Sequence, residues 1–204
     1  MWWFDNRNSS NNVPIVKTLS WPDEAATEAF AQQMAQALCR TPAAPRVAGH
    51  EALAAGVHAA LDAAAPAAPS APAAPRPSAC VALHGNLGAG KTTFVRHLLR
   101  TLGVTGRIKS PTYAVVEPYE VTALAHPLHI WHFDFYRFSD PREWEDAGFR
   151  DLFASPGLKL CEWPEHAQGV MPTPDLDLHV EVDTAGQRQV SVHANTLVGE
   201  WLLA

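Results

Sequence analysis

The sequence predicts an α/β fold: a largely parallel, twisted sheet flanked by helices, with an antiparallel hairpin at the C-terminal end. Three observations predict it. Ala79-Cys80-Val81-Ala82-Leu83 is an apolar run of strand length, Gly85 to Thr92 is a glycine-rich turn, and Thr93 to Arg100 carries a helical pattern. Together they make a strand–loop–helix unit. A helical segment precedes that unit and several strand-like runs follow it, an order that favours parallel pairing with helices packed on the sheet. Finally, Asp175 to Asp183 and Arg188 to Ala194 alternate apolar and polar residues around Thr184-Ala185-Gly186, which reads as a hairpin. In such a sheet, ligand chemistry belongs at the carboxyl ends of the parallel strands.

The elements follow in order. Residues 1–12 are polar and Asn-rich after the first four and read as a flexible extension. Val13 to Leu19 is a short strand. Ser20-Trp21-Pro22-Asp23 reads as a helix start, with Ser20 capping and Asp23 completing the box. Phe30, Met34, Ala37 and Leu38 share one face of the helix that runs to about Cys39. Trp21 has two readings, a wall for a nucleotide base or a staple fixing the helix entry. Residues 40–78 hold seven of the 17 prolines and are rich in alanine. Val47 to Ala65 suits a small-residue helix, and Pro66 to Pro77 favours extended polyproline, so this segment reads as an insertion. After the glycine-rich unit, Gly103 stops the helix. Strands are expected at Tyr113–Tyr119, His129–Tyr136 and Leu158–Trp163. An acidic helix spans Asp140 to Ala147 and is closed by Gly148. Leu197 to Leu203 is expected to cover a sheet edge. The domain prediction is one domain over 13–204 carrying the 40–78 insertion.

Bulk composition narrows the function classes. Of 204 residues, 47% are hydrophobic and 18% charged, which suits a globular chain. The net charge is −6 with no basic cluster, which argues against direct gripping of a nucleic acid. Cys39, Cys80 and Cys161 are scattered and form no C-x-x-C, so a reducing compartment is expected rather than a disulfide framework or zinc site. Met1-Trp2-Trp3-Phe4 is followed at once by Asp5-Asn6-Arg7, so no secretory core is predicted. No stretch approaches the ~20 apolar residues of a membrane span. The expectation is a cytoplasmic protein that does not enter membranes.

The chemistry centres on Gly85-Asn86-Leu87-Gly88-Ala89-Gly90-Lys91-Thr92, which fits the P-loop pattern G-x-x-x-x-G-K-S/T. A chain of this length matches that pattern by chance on the order of 1 per cent of the time. Glycines let successive N–H groups face phosphate oxygens, and the helix that starts there adds partial positive charge. Lys91 reaches the β- and γ-phosphates and the Thr92 hydroxyl ligates Mg²⁺. The fold is therefore P-loop NTPase-like. The expected nucleotide-binding set is Gly85, Leu87, Gly88, Ala89, Gly90, Lys91, Thr92 and Thr93.

Hydrolysis also needs strand-end acids. Asp134 lies in His132-Phe133-Asp134-Phe135-Tyr136-Arg137, where alternation puts Ile130, His132, Asp134 and Tyr136 on one face and Trp131, Phe133 and Phe135 on the other. A carboxylate in so apolar a strand needs a partner. Two are open: Mg²⁺ with its waters, or a salt bridge to Arg137 or another nearby Arg. Glu162 ends the next strand and is equally open between a metal-associated and an ordinary surface role. Ser110-Pro111-Thr112 reads either as a common turn or as a loop sensing the γ-phosphate. His129 and His132 fall on opposite faces of a strand and cannot share a metal. Asp183-Thr184-Ala185-Gly186-Gln187 resembles a GTPase switch but lies at the hairpin turn, and no N-K-x-D guanine signature exists, so the expected base is adenine.

These segments together resemble one family. G-N-L-G-A-G-K-T-T-F at 85–94, K-S-P-T-Y at 109–113, V-E-P-Y at 116–119, H-F-D-F-Y-R at 132–137, the D-P-x-E-W-E-D-A-G-F-R-D-L-F stretch at 140–153 and C-E-W-P at 161–164 are similar to the bacterial TsaE (YjeE) ATPases. P-D-E-A-A-T at 22–27 is similar more loosely. The resemblance implies ATP and Mg²⁺ as ligands and slow ATP hydrolysis. It implies action with the TsaD–TsaB pair in making N6-threonylcarbamoyladenosine beside the anticodon of tRNA, with tRNA met only through those partners. Residue by residue, it implies that Gly88 to Thr93 hold phosphates and that Thr92 and Glu162 hold Mg²⁺. Asp134 is then the acid needed for hydrolysis, Thr112 belongs to a switch-like loop, and Trp163 lies beside the site. Lys91, Asp134 and Glu162 form the expected catalytic set, and Thr92, Asp134 and Glu162 the metal set.

The sequence departs from that family in three places. Asn86 stands where the family usually has Asp, the 40–78 segment is much longer than usual, and the Trp-rich amino terminus is extra. Two rival functions are carried beside the main one. A small-molecule kinase would need an Arg-rich lid, and the sequence shows no such cluster. A non-catalytic, nucleotide-gated adaptor would keep the phosphate site without turnover.

Overall fold

A computed structural model describes residues 15–40, 78–122 and 127–204. The expected 1–12 extension and nearly all of the 40–78 insertion lie outside the described residues. The elements are β1 (Ile15–Trp21), α1 (Glu24–Cys39), β2 (Ala79–His84), α2 (Lys91–Thr101), β3 (Val116–Val121), β4 (Leu128–Asp134), α3 (Pro141–Asp146), α4 (Phe149–Ala154), β5 (Leu158–Glu162), a 3₁₀ turn (Pro164–Ala167), β6 (Leu176–Val182), β7 (Arg188–Ala194) and α5 (Leu197–Leu202).

One seven-stranded sheet runs in the order β1-β7-β6-β2-β5-β4-β3. Its centre, β6-β2-β5-β4, is parallel. Both margins are antiparallel: β3 on β4, and β7 with β1 beside β6. The predicted α/β class, the parallel core and the β6–β7 hairpin are all present. The hairpin turn is built as expected around Asp183, whose carboxylate accepts from the amides of Ala185 and Gln187 at 2.9 Å each.

Strand alternation sorts the side chains onto two faces. Val81, Leu83, Ile130, Leu158, Leu160, Leu176, Leu178, Val180, Val190 and Val192 pack under α1, α2 and α5. On the opposite face, Phe133, Phe135 and Cys161 pack with Phe138 from the loop after β4 and with Trp144, Phe149 and Ala167 from α3, α4 and the 3₁₀ turn. The predicted division of β4 therefore holds, with Ile130 in one core cluster and Phe133 and Phe135 in the other. Each cluster removes about a residue's worth of apolar area per side chain, roughly 1.5–3 kcal/mol apiece before entropy.

Several boundaries differ from expectation. Ser20 does not cap α1. It stays in β1, paired with Gln189, and Asp23 caps instead, accepting from the Ala26 amide at 2.9 Å. The β1–β7 ladder wins over the local capping pattern. Residues 112–115 form a turn, not a strand, because the Val115 amide donates back to the Pro111 carbonyl at 2.7 Å with Val115 at φ 64°. A second short helix, α4, follows Gly148, where one acidic helix was expected. The C-terminal helix lies on a sheet face rather than along an edge: α5 packs against β7 and α1, and just beyond it the Leu203 carbonyl accepts from Lys17 Nζ of the edge strand β1 at 2.6 Å. Gly199 permits that approach, since a Cβ there would sit 2.0 Å from the Asp175 carbonyl oxygen.

Trp21 is buried, with its ring 5.8 Å from Phe94 and nearly parallel to it, and 5.5 Å from Phe30. It anchors the entry to α1 and presents no face to a base. Replacing Trp21 with Ala should lower unfolding free energy by about 3–5 kcal/mol, read from the urea midpoint. An unchanged midpoint would place this ring outside the core.

Candidate functional site

The loop between β2 and α2 closes tightly. Gly85 adopts φ 132°, and a Cβ there would meet the Val180 carbonyl oxygen at 2.2 Å, so only glycine fits. The Lys91 ammonium folds back over the loop, donating to the Gly85 carbonyl at 2.5 Å and to the Asn86 carbonyl at 3.1 Å. The Trp163 ring covers it at 3.8 Å from the ring centre. Burial pushes the Lys91 ammonium below its ordinary pKa, against the opposing pull of Glu162, Glu165 and Asp134. Whereas α1, α3 and α5 are capped by Asp23, Asp140 and Thr196, no side chain caps α2, which begins at Lys91. Its first-turn amides are thus left for another acceptor.

Two strand ends bring the acids. In the β4–β5 register Asp134 lies opposite Glu162, and both point to the face that α2 covers. Glu162 is buried, and its two oxygens lie 2.8 and 2.9 Å from the Thr92 hydroxyl. That hydroxyl has one proton, so it can donate to only one of them. Behind it, His132 Nε2 donates to Glu162 Oε1 at 2.8 Å. Among the described residues the Nδ1 of this fully buried ring has no hydrogen-bond partner, so Nε2 makes the ring's contact with the carboxylate.

Asp134 is the node for a second loop. Its Oδ2 accepts from the Ser110 and Thr112 hydroxyls, the latter at 2.8 Å, and its Oδ1 accepts the Tyr136 amide at 3.0 Å. The alternative of a salt bridge to Arg137 fails. Arg137 instead lies over the Tyr113 ring, 4.4 Å from its centre.

A cavity of about 260 Å³ joins these groups. Leu87, Gly88, Gly90, Lys91, Thr92, Thr93, Thr112, Asp134 and Glu162 line it, together with Ser110, Tyr136 and Trp163. Gly85 and Ala89 do not. They sit on the other side of the loop, where the Ala89 carbonyl accepts from Arg188 Nε at 3.4 Å. Sequence reasoning overlooked His132 as the partner of Glu162. The signal was a histidine in an otherwise apolar strand, but it was weighed only against His129. Ser110 stood beside Thr112 in the tripeptide, yet nothing in the spacing showed that both hydroxyls would share one carboxylate.

The donor set is hard oxygen: a hydroxyl and two carboxylates beside a lysine and an open helix start. Such oxygens suit Mg²⁺, which keeps several waters and binds through one or two carboxylates plus phosphates. The residues present therefore fit a magnesium nucleotide.

A family model described as "Threonylcarbamoyl adenosine biosynthesis protein TsaE" matches residues 21–190. The chain is 40% identical over 125 residues to the "tRNA threonylcarbamoyladenosine biosynthesis protein TsaE" of Haemophilus influenzae, covering 61% of this chain and 75% of that one. It is 31% identical over 119 residues to the protein of the same description from Bacillus subtilis, covering 58% of this chain and 72% of that one. A crystal structure of YdiB from Bacillus subtilis superposes with a TM-score of 0.60, over 94% of this chain and 93% of the other, at 20% identity. That last likeness concerns the fold alone.

His132→Phe keeps a ring in place and removes the buried donor to Glu162. Unfolding free energy should fall by about 1–3 kcal/mol, measured by urea denaturation. Unchanged stability would mean that Glu162 needs no donor behind it.

Proposed function

The chain belongs to the TsaE family, whose role lies in the biosynthesis of threonylcarbamoyladenosine in tRNA, and we propose that it is an ATP-binding, slowly hydrolysing P-loop ATPase that serves this pathway together with the TsaD–TsaB pair. The observation that carries the reading is the convergence of Lys91, Thr92, Asp134 and Glu162 on one cavity at the carboxyl ends of three parallel strands.

Each group has a definite task on this reading. The uncapped start of α2 and the amides of the loop receive phosphate oxygens. The Lys91 ammonium, already 3.8 Å above Trp163, turns its charge to the β- and γ-phosphates. Thr92 and Glu162 would hold Mg²⁺, with Asp134 beside them. When bound, the ion neutralises charge that develops on the phosphate oxygens. Asp134, an acceptor-only carboxylate when ionised, orients the attacking water. Water adds to the γ-phosphorus, the bond to the bridging oxygen breaks, the water's proton passes to the departing phosphate, and ADP and phosphate leave. Ser110 and Thr112, bonded to Asp134, tie the 110–112 loop to the state of the γ-phosphate. Adenine is the base on this reading.

The partners are proteins. With a net charge of −6, contact with tRNA runs through the TsaD–TsaB pair rather than directly. Among the described residues no helix is long and apolar enough to cross a membrane. A role in tRNA modification is compatible with a cytoplasmic location.

ATP turnover measured with and without the TsaD–TsaB pair, beside the yield of modified tRNA, tests the proposal. Stimulated turnover and restored modification are expected; absence of both refutes it. Lys91→Ala should bind ATP at least about a hundredfold more weakly in calorimetric titration, with the thermal melt retained. Wild-type affinity in that variant would remove the phosphate assignment. Asp134→Asn removes charge and keeps shape, so binding should persist while turnover falls by about a hundredfold or more. Undiminished turnover would make Asp134 structural.

A further inference from the structure

His84 ends β2 immediately before the P-loop, on the sheet face away from α2. It lines a second cavity of about 450 Å³ with Gly85, Asn86, Ala89, His179 and Glu181. Both ring nitrogens face carboxylates: Nε2 lies 2.9 Å from Asp177 Oδ1 on β6, and Nδ1 lies 3.4 Å from Glu165 Oε2 in the 3₁₀ turn. Two carboxylates within ion-pair distance of the two ring nitrogens, one of them hydrogen-bonded, favour the imidazolium form. Asp177 is itself pinned through its other oxygen by the Asn195 amide at 2.6 Å.

The neighbours agree on where the charge sits. The His179 ring stacks on His84 with centres 4.2 Å apart and planes 12° from parallel, and His193 lies 5.0 Å beyond. Two stacked imidazoles do not share two charges, and the carboxylates select His84. Burial opposes protonation of His84, yet its hydrogen bonds to Asp177 and Glu165 raise its pKa from 6.5 to about 9. Burial, and then the charges of His84 and His193, push His179 below its ordinary value. The bond to His84 pulls Glu165 and Asp177 down, against the effect of their own burial.

Glu165 belongs to the turn that carries Trp163. The Trp163 backbone is left-handed, at φ 58°, a conformation that costs about 1–3 kcal/mol and persists only where its surroundings enforce it. Three backbone bonds help: Trp163 N to the Leu83 carbonyl at 3.2 Å, His166 N to the Trp163 carbonyl at 3.1 Å, and Gln168 N to the Glu165 carbonyl at 3.4 Å. The Leu83 carbonyl adjoins His84, so chain and charge tie the same two segments.

We propose that His84 is a positioning residue: strung as an imidazolium between Asp177 and Glu165, it holds the Trp163–Ala167 turn, and with it the Trp163 indole, over the P-loop lysine. The consequence for nucleotide affinity rests on the ATP reading above; the consequence for the turn does not. A raised folded-state pKa sets the sign. The tie is complete below about pH 6.5 and is lost as pH rises through about 9. The groups that face it are Asp177, His179 and Glu181 on β6, Glu165 and His166 in the turn, and His193 on β7 behind His179. Lys91 also titrates on the alkaline side, so the comparison is with His84→Arg, which keeps a charge able to reach both carboxylates and leaves Lys91 untouched.

The test uses the full chain. Amide protection of His166 and Gln168 is measured by hydrogen exchange without nucleotide, and affinity for ATP with Mg²⁺ by calorimetry, at pH 7.5 and pH 10. His84→Gln should lower protection and weaken binding about five- to tenfold at pH 7.5. His84→Arg should restore both, and should lose less of each than the wild type on going to pH 10. Glu165→Gln, which leaves β2 intact, should reproduce the loss of protection if His84→Gln fails to fold. Wild-type protection in His84→Gln, or in Glu165→Gln, overturns the proposal. Should the wild type bind no ATP, the ATP reading falls, while the exchange data still decide the role of His84.

Discussion

The carboxylate of Glu162 is the point on which the site depends. It is almost wholly buried at the end of β5, where an unpaired charge would be too costly to keep. It survives because the Thr92 hydroxyl meets it from α2 and His132 meets it from β4. Those contacts join three elements: the helix that opens the P-loop, the strand that carries Asp134, and the strand that continues into Trp163. The parallel β4–β5 register then sets Asp134 one strand spacing, about 4.8 Å, from Glu162. A slip of one residue in either strand would turn that strand's acid to the opposite face, away from α2 and from the other acid.

The two faces of the sheet divide the labour. The face under α1, α2 and α5 holds the larger aliphatic core and, at its carboxyl end, the oxygens of the site. The opposite face holds the aromatic cluster and, above β2 and β6, the His84 network. The P-loop lies between them, so each side fixes one flank of it. Val180 blocks any side chain at Gly85, while Arg188 donates to the Ala89 carbonyl. The loop is held from outside, so on the ATP reading less ordering is left for binding to supply.

What the sequence made legible was local. The strand–loop–helix unit, the alternation of β4 and the hairpin turn at Asp183 are each written within about a dozen residues, and each is found. What stayed hidden was set by distant pairings. Ser20 carries the local pattern of a cap, but its ladder partner Gln189 lies 169 positions away and holds it in β1. His132 was weighed against His129, its neighbour in sequence, although its partner is Glu162 in the next strand. The helix α4 escaped because Gly148 ends one short helix and starts another at the same residue. Asp134 was read correctly as a carboxylate needing a partner, yet the two hydroxyls that supply it come from a loop 22 to 24 residues upstream.

Lys91 is held without a charged partner in contact. A buried ammonium is costly, and burial does push its pKa down. Two loop carbonyls and the face of an indole hold it in its present position, and none of the three is a charged group. An ion pair with Glu162 or Asp134 would bind it more strongly and would have to be broken before phosphate could enter. The carboxylates are instead met by the hydroxyls of Thr92, Ser110 and Thr112, the Tyr136 amide and the His132 ring. On the ATP reading, a magnesium triphosphate therefore brings opposite charge to both sides. The lysine gains phosphate oxygens, and the hydroxyls and acids gain the cation. The difference in strength between charge-assisted and neutral hydrogen bonds, about twofold per bond, is then available to move the 110–112 loop, because Ser110 and Thr112 are bonded to the same Asp134 oxygen and move with it.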